Sequence, residues 1–404
     1  MRLKGRKQTV PHPGGTAGMQ VGSLNGVRCP DKRNLARRNR YTAGMVSDGA
    51  LFWSHLHVLT PERSVALRES FGDFDAARRL CGPELLKALG CKQDTIEKTL
   101  LRAEEFDPKS IRAELERRKI HFLTIDDDDY PERLARLPDA PVFLYAIGDL
   151  DVLRQPCVAL VGTREMTQYG LRVTQRFVEP LVRGGMTTVS GLALGIDGEV
   201  AKETLRCEGK TVAVFGHGFR MISPPSHAQL AKRILDGGGL LLTEFPLDYE
   251  PGLHTFPARN RIIAGLSMAT VVLEAPERSG ALYTAEFALE QGSEVYAVPG
   301  PIFEPTYAGC NALIARSAAK LAVSPEEILR DLRIASVGAV PASTYQPSSP
   351  DEAAVYSVLT PAPQALDTIV ERSTLPAGSV SAALTMLELA GAAQNLGGGE
   401  WVRR

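Results

Sequence analysis

The sequence has 404 residues, of which 44% are hydrophobic and 23% are charged, values typical of soluble globular proteins. At about 100–200 residues per domain, this length predicts about two to four domains. No apolar run approaches the roughly 18 residues that a membrane-spanning helix needs. Collagen-like, wholly disordered and membrane proteins are therefore excluded.

The net charge of −1 conceals a basic N-terminus, because the first 50 residues hold ten Lys or Arg side chains against two aspartates. Such a segment is typical of a nucleic-acid-binding arm or a transit peptide. Gly and Pro interrupt it and helical periodicity is missing, which favours a disordered extension over residues 1–47, or a true start at Met45. It also lacks the apolar core of a secretory signal, so a cytoplasmic protein is expected.

Residues 48–118 form the next predicted domain. From about residue 60 onward, apolar residues recur every three or four positions between glycines and prolines, which predicts a small bundle of short helices. Two short strands, HFLTI and VFLYAIG, then flank a turn that contains four consecutive aspartates, 126–129. Neighbouring residues on a strand point to opposite faces, so a solvated turn is favoured over a metal site.

Residues 119–332 form the predicted core, in which strands alternate with helices from residue 157 onward. The six strands are continuous apolar runs, namely CVALVG, MTTVSG, TVAVFG, LLLTEF, TVVLEA and EVYAVPG. Runs of this kind are expected where helices cover both faces of a sheet. The pattern predicts an α/β fold with a Rossmann-like, doubly wound parallel sheet of about six strands.

A Pro/Ser/Ala-rich linker over residues 333–349 precedes a last domain over residues 350–404. Three short helical patterns followed by a Gly-rich turn and a strand predict a winged helix. Its third helical segment, SVSAALTMLELA, contains no Lys or Arg. A phosphate-binding surface needs cations, so a protein-contact or structural role is favoured over DNA binding for this tail.

Four loops at the carboxyl edge of the predicted sheet suit a phosphate-bearing ligand, because such edges bind ligands in open parallel sheets. Glycines allow tight turns there, helix-start amides bind anions, and arginines supply charge. Each loop alone could be an ordinary connection between a strand and a helix. The candidate phosphate-binding residues are Gly162, Thr163, Arg164, Ser190, Gly191, Arg259, Asn260, Arg261, Ser279, Gly280 and Thr284.

Sequence signatures of catalysis are missing from these loops. The chain lacks a G-x-G-x-x-G dinucleotide fingerprint, a Walker A loop and a G-x-S-x-G nucleophile elbow. His217 directly follows a core strand without a partnered nucleophile, so it is interpreted as a structural residue. The six cysteines are scattered and form no C-x-x-C pair, which indicates reduced thiols and gives no support for a metal site. No cofactor is expected.

Residues 120–325 resemble the DNA-processing protein A (Smf/DprA) family. The similarity begins at Tyr130-Pro131 and continues through Leu144-Tyr145 to Gly148. Ordered motifs then follow, of which FPARNRIIAGLS and SGALYTA are the most specific: VALVGTREMTQYG, SGLALGID, TVAVFGHG, TEFP, FPARNRIIAGLS, VVLEAPERSGALYTAEFALEQG, YAVPGPIF and GCNALI. The helical domain and the winged tail are similar to the family's SAM-like and winged-helix flanks.

The resemblance implies a non-catalytic, homodimeric protein, paired through its Rossmann-like core, that binds single-stranded DNA. It would protect incoming DNA and load the RecA-type strand-exchange recombinase during natural transformation. By match to the motifs, Arg164 and the run 259–261 would face DNA phosphates, and Lys232 and Arg233 would contribute more weakly. In a competing interpretation, Arg259 and Arg261 pair with carboxylates such as Glu244 or Glu274 and hold their loop.

The chain departs from the family's pattern at Lys202, at Ser223-Pro224 and at Cys310, which affects details of the pocket. Two other function classes stay open. One is a nucleotide-binding enzyme of the phosphoribohydrolase type, but the segment 275–286 lacks that family's double glycine, and Glu286 can be an exposed helix residue. The other is a scaffold that contacts only proteins.

Overall fold

The computed structural model describes residues 46–334, 345–360 and 362–403. Most of the predicted N-terminal extension (residues 1–45) and of the predicted linker (residues 335–344) lies outside the described residues. The chain divides into two compact units, of which the larger contains the described residues up to 334 and the smaller those from 345 onward. No helix within these residues has the length and apolar character to cross a membrane.

Six helices precede the first strand in the described part of the larger unit, and their ends follow local signals. Thr60 caps the second helix, because its hydroxyl accepts a hydrogen bond from the amide of Arg63 at 3.3 Å, and Gly72 ends that helix at φ 87°. The first helix was not predicted from its own short apolar run, although Ser47 caps it. The helices are α1 Asp48–Leu56, α2 Pro61–Phe71, α3 Phe74–Arg79, α4 Pro83–Ala88, α5 Gln93–Glu104 and α6 Pro108–Arg117.

A nine-stranded sheet, counted over the described residues, forms the centre of the larger unit, in the order β1-β2-β6-β5-β4-β3-β7-β8-β9. All six strands predicted from apolar runs are present and mutually parallel, which confirms the predicted α/β fold class. The strands are β1 Ile120–Thr124, β2 Phe143–Gly148, β3 Cys157–Gly162, β4 Thr187–Ser190, β5 Thr211–Phe215, β6 Leu240–Thr243, β7 Ala269–Glu274, β8 Glu294–Ala297 and β9 Lys320–Leu321.

The two strands before the core extend this sheet. The second strand pairs antiparallel with β6, with Tyr145 opposite Thr243, and β1 pairs antiparallel with β2. The sheet is therefore mixed and larger than the six strands predicted. Between β1 and β2, the Asp127 carboxylate accepts the amide hydrogen of Thr124 at 2.6 Å, and Asp129 pairs with Arg154, as expected of a solvated turn.

Helices cover both faces of the sheet. The order in which successive strands are added reverses between β3 and β7, which are parallel neighbours. From β3 the chain continues on one side through β4, β5 and β6, and on the other side through β7 and β8. Such a switch point opens a crevice at the carboxyl edge of a sheet. The helices of this part are α7 Glu132–Ala135, α8 Gln168–Arg183, α9 Ile196–Arg206, α10 Ala228–Asp236, α11 Thr255–Leu266, α12 Gly280–Glu290, α13 Ala308–Ala315 and α14 Pro325–Asp331.

The first helices share a hydrophobic core with one face of the sheet. Trp53 is fully buried, and its indole N–H donates to the Phe74 carbonyl at 3.2 Å. The Ser54 hydroxyl lies 2.7 Å from the Tyr145 hydroxyl on β2, and Phe122 and Phe143 belong to the same cluster. Burial of these large side chains holds the helices against the sheet.

The smaller unit has the helices and the β-wing of a winged helix. Its core contains Val355, Ile369, Leu384 and Trp401. Its elements are α15 Pro350–Val358, β10 Gln364–Ala365, α16 Leu366–Ser373, α17 Ala377–Leu389, β11 Ala393–Gly397 and β12 Glu400–Arg403, with its three described strands paired in the order β10-β12-β11.

Candidate functional site

The loop after β3 carries an exposed arginine at the switch point. The Thr163 amide donates to the Glu274 carbonyl at 2.7 Å, which fastens the loop to the end of β7. The Thr163 side chain is buried and its hydroxyl accepts the Glu165 amide hydrogen at 3.2 Å. Arg164 is exposed, and its guanidinium lies 5.1 Å from the centre of the Phe256 ring. The loop therefore presents a cation to solvent from a fixed backbone.

The loop after β4 packs directly against the first loop. The Ile196 amide donates to the Thr163 carbonyl at 3.1 Å. A Cβ on Gly195, whose φ is 72°, would lie 2.3 Å from that carbonyl oxygen, so only glycine fits. At the start of the loop, the Gly191 amide donates to the Asp197 carboxylate at 3.0 Å. Ser190, the last residue of β4, is buried.

Arg259 lies beneath these loops and does not reach the surface. Only 4% of the residue is exposed, and its guanidinium donates to the Gly191 carbonyl at 2.7 Å and to the Val214 carbonyl. A Cβ on Gly191 would lie 1.9 Å from that guanidinium. Burial lowers the pKa of Arg259 to about 10, and the nearby Asp197 charge partly offsets that shift. The structure therefore places Arg259 beneath the loops rather than on their surface, with its Nε and Nη1 donors bonded inside the protein, and a contact between Arg259 and DNA phosphates stays a prediction.

The other two residues of the 259–261 run connect neighbouring segments. The Asn260 side-chain amide donates to the Gly280 carbonyl at 3.2 Å, which joins α11 to the loop after β7. Arg261 lies 2.5 Å from the Glu244 carboxylate and 3.4 Å from Asp139. Only 14% of the Arg261 side chain is exposed, so the geometry fits the competing interpretation in which it holds its loop.

The loop after β7 forms the start of α12. The Ser279 hydroxyl caps the helix by accepting the Ala281 amide hydrogen at 3.3 Å. Thr284 is buried, whereas Gly280 is exposed with open space where a side chain would be. Of the three candidates in this loop, Gly280 is the exposed one, and its carbonyl is already bonded to Asn260.

Two family models match the chain in the parts that carry this architecture. The model described as DNA recombination-mediator protein A matches residues 121–333, and the DprA winged helix domain matches residues 339–399. The chain belongs to the DNA recombination-mediator protein A (DprA/Smf) family. The first match contains all four loops of the site, so the geometry above is that of a family member.

Long alignments with relatives support membership of this family. Protein Smf from Escherichia coli K12 is 41% identical over 299 residues, covering 71% of this chain and 79% of the relative. Protein Smf from Synechocystis is 34% identical over 396 residues, covering 88% and 98%. The solved structure of DNA processing protein A from Streptococcus pneumoniae is 32% identical, covers 71% of this chain and 99% of that chain, and has a TM-score of 0.59.

The family's helix after β5 carries two further candidates. Lys232 and Arg233 are both exposed on α10, and neither forms an ion pair within residues 46–334. His227, just before α10, approaches the second loop, since its Nδ1 lies 3.0 Å from the Leu192 carbonyl. A Cβ on Gly198 would lie 2.6 Å from the His227 ring. The start of α10 therefore belongs to the same edge.

His217 lies inside the DprA core. It is buried, its Nδ1 lies 2.8 Å from the Gly218 carbonyl, and its Nε2 accepts the Ser223 amide hydrogen at 3.3 Å. Burial lowers the pKa of His217 and keeps the ring neutral. Both ring nitrogens are engaged with backbone, as expected of a structural residue.

The departures from the family pattern lie outside the four candidate loops. Lys202 is on the exposed face of α9, 3.3 Å from Glu199, and Cys310 is buried in α13. The peptide bond between Ser223 and Pro224 is cis.

Two residues outside the predicted site organise it. Asp197 and Phe256 were part of quoted motifs, yet their roles became visible only from the folded chain: Asp197 holds Gly191, and Phe256 supports Arg164. In the described residues, no group of three His, Cys, Asp or Glu side chains could hold a metal ion.

Proposed function

We propose that this protein binds single-stranded DNA along the carboxyl edge of its sheet and delivers it to a RecA-type recombinase. The observation that carries the proposal is the exposed Arg164 guanidinium at the switch point, held there by two interlocked loops. It forms no ion pair with any described residue, so its charge is available to an anion. A guanidinium grips phosphate through paired hydrogen bonds.

Phosphate contacts of this kind position a strand without reading its sequence. Lys232 and Arg233 extend the positive charge along α10, and Gly280 is exposed at the start of α12. A narrow set of fixed phosphate contacts beside a crevice suits a flexible strand better than a rigid duplex. Binding without strong base preference follows from the same features.

We propose that the protein does not catalyse a reaction. The enzymatic alternative requires a base or nucleophile at this edge, and its best candidates are poorly placed: His217 is held by backbone, and Glu286 is exposed on α12. No observation favours phosphoribohydrolase chemistry. A scaffold that contacts only proteins would not explain the exposed Arg164, which forms no ion pair with any described residue.

The finer parts of the proposal rest on membership of the family. They are a homodimer formed through the core, a RecA-type recombinase as partner, a role in recombination and natural transformation, and action in the cytoplasm. We also propose that residues 48–118, 119–332 and 350–404 are the three domains of the protein. For the winged helix, a protein-contact role is proposed, since α17 carries no Lys or Arg.

The test is a titration of the purified full chain with labelled single-stranded and blunt double-stranded oligonucleotides at two salt concentrations. We expect tighter binding of the single strand at both, with an affinity that falls as salt rises. Equal affinity for the two forms at the same salt would count against the proposal. Absence of binding to either form would favour the scaffold instead.

A further inference from the structure

The loop that follows β8 exposes two large apolar side chains at the edge where the candidate site lies. Ile302 is 83% exposed and Phe303 is 89% exposed. Side chains of this kind are normally buried, and an exposed pair on one loop needs an explanation. Since β8 is parallel to β7, its loop emerges at the same carboxyl edge as the loops described above.

This exposure belongs to a well-organised loop. The Asn311 side chain bonds both polar backbone groups of Gly300: it accepts the amide hydrogen at 3.2 Å and donates to the carbonyl at 3.0 Å. The Tyr307 ring packs on Gly300 so closely that a Cβ there would lie 2.0 Å from it. Prolines at 299, 301 and 305 restrict the backbone further. The two apolar side chains are therefore presented by a backbone that is already ordered.

A contact between two rings holds the segment after this loop against the start of α8, the helix that follows the Arg164 loop. The Tyr307 ring lies 5.3 Å from the Tyr169 ring in an edge-to-face arrangement. Tyr169 is in the first turn of α8, five residues after Arg164, and 40% of it is exposed. The guanidinium of Arg172 lies 5.7 Å from the Tyr169 ring. The segment that follows the loop of Phe303 is therefore packed against the helix that follows the cationic loop.

The charge of the loop after β8 indicates which part of a DNA strand it can bind. Residues 299–305 contain one carboxylate, Glu304, and no cation, so the loop does not suit phosphates. The faces of nucleic-acid bases are uncharged and stack on aromatic rings in a sequence-tolerant way. A cation on the loop after β3 and an exposed ring on the loop after β8 match the alternation of phosphates and bases along a single strand.

We propose that Phe303, supported by Ile302, forms a stacking surface for unpaired bases of a strand whose phosphates are held at Arg164. This inference rests on the proposed function and extends it from the backbone of the strand to its bases. It assigns to the loop of residues 299–304 a contact that a duplex, whose bases are already stacked, cannot make. The rival occupant of the same surface is a second copy of this chain.

The first experiment compares Phe303→Ala with the unchanged protein on two probes of equal length, an oligothymidylate and an abasic oligonucleotide. We expect Phe303→Ala to weaken oligothymidylate binding at least about fivefold and to leave abasic binding unchanged. Phe303→Tyr should restore the lost affinity. The control is Leu101→Ala, which removes another exposed apolar side chain from helix α5 and should change neither affinity.

A second experiment uses Phe303→Trp as a fluorescent probe. The chain's two tryptophans, Trp53 and Trp401, are 0% and 8% exposed, so a new indole at 303 would report on its own surroundings. Stacking predicts quenching by oligothymidylate and none by the abasic strand. Equal quenching by both strands would contradict base stacking.

The outcomes separate the two proposals. Wild-type oligothymidylate affinity in Phe303→Ala, together with weakened binding in Arg164→Ala, would overturn the stacking surface and leave the proposed function intact. A change in the oligomeric state of Phe303→Ala would also overturn it, in favour of a contact between copies. No single-strand binding by the unchanged protein would overturn the proposed function itself.

Discussion

The loop after β3 and the first half of α11 both bring arginines to the carboxyl edge, and they use them differently. Arg164 is exposed and makes no ion pair within the described residues, whereas Arg259 and Arg261 are buried or nearly so and hold other loops. The comparison teaches that the same side chain at the same edge can bind a ligand or build the surface that binds it. Burial decides between the two roles, because a guanidinium enclosed by the protein is not accessible to a phosphate on the surface.

The largest effect is expected at Arg259. Arg259→Ala leaves the Asp197 carboxylate buried without its neighbouring positive charge, and it leaves the Gly191 and Val214 carbonyls without their donor. We expect the free energy of unfolding to fall by about 3–5 kcal/mol in denaturant titrations. Arg278→Ala, an exposed arginine on the same edge, should change it by less than about 0.5 kcal/mol. Wild-type stability in Arg259→Ala would contradict the structural role assigned to this arginine.

A smaller loss of stability is expected at Arg261. Arg261→Ala leaves Glu244 largely buried without its partner, at a cost of about 2–3 kcal/mol in the free energy of unfolding. Because burial already raises the pKa of Glu244, Glu244→Gln in the same chain should recover part of this loss. Where the variant is folded, its affinity for a single strand should stay within about twofold of wild type. A tenfold loss of affinity at unchanged melting temperature would return Arg261 to the binding surface.

Acidification should affect the buried groups and spare Arg164. The pKa of His217 is lowered in the folded protein by burial, so the unfolded chain takes up the proton first as pH falls through about 6.5. The stability contributed by the neutral ring is therefore present above that pH and is lost below it, by at most about 1.4 kcal/mol per pH unit. Denaturant titrations of the wild type and His217→Asn between pH 7 and 5 measure this. The same slope in both proteins would exclude His217 as its source.

Arg164 should change affinity without changing stability. Removing its guanidinium eliminates one charge-assisted phosphate contact, for which we expect about a tenfold loss, or about 1.4 kcal/mol. The plot of log affinity against log salt should flatten by about 0.7 for a single strand. The matched control is Arg183→Ala at the opposite end of α8, which should keep both affinity and slope. A lower melting temperature in Arg164→Ala would indicate that Arg164 has a structural role, like the buried arginines.

The winged helix should contribute least to DNA affinity. Because α17 has no Lys or Arg, deleting residues 340–404 should leave single-strand affinity within about threefold, or about 0.7 kcal/mol. Fluorescence anisotropy with the truncated and full chains compares the two. A larger loss in a folded truncation of unchanged oligomeric state would assign DNA binding to the tail.

Much of the fold could be predicted from local patterns. The six parallel strands appear as continuous apolar runs, and Thr60 with Gly72 marks both ends of α2. The extension of the sheet by β1 and β2 could not be predicted, because strand pairing depends on which edge is free after the core has formed. The core that the first helices share with Phe122 and Tyr145 could not be predicted either, because contacts between residues distant in sequence create it.

For the site, the order of strands and helices along the chain is enough to predict which loops meet at the carboxyl edge and which residues they carry. Alternation of strand and helix places Gly162, Gly191 and Ser279 at that edge in any right-handed parallel sheet. Which arginines face solvent becomes visible only in the folded chain. Exposure depends on where acceptors such as the Gly191 carbonyl and the Glu244 carboxylate lie, and these are 68 and 17 residues away from their arginines. The exposed ring of Phe303 was likewise decided by the Asn311 and Tyr307 contacts that hold its loop, which no short motif encodes.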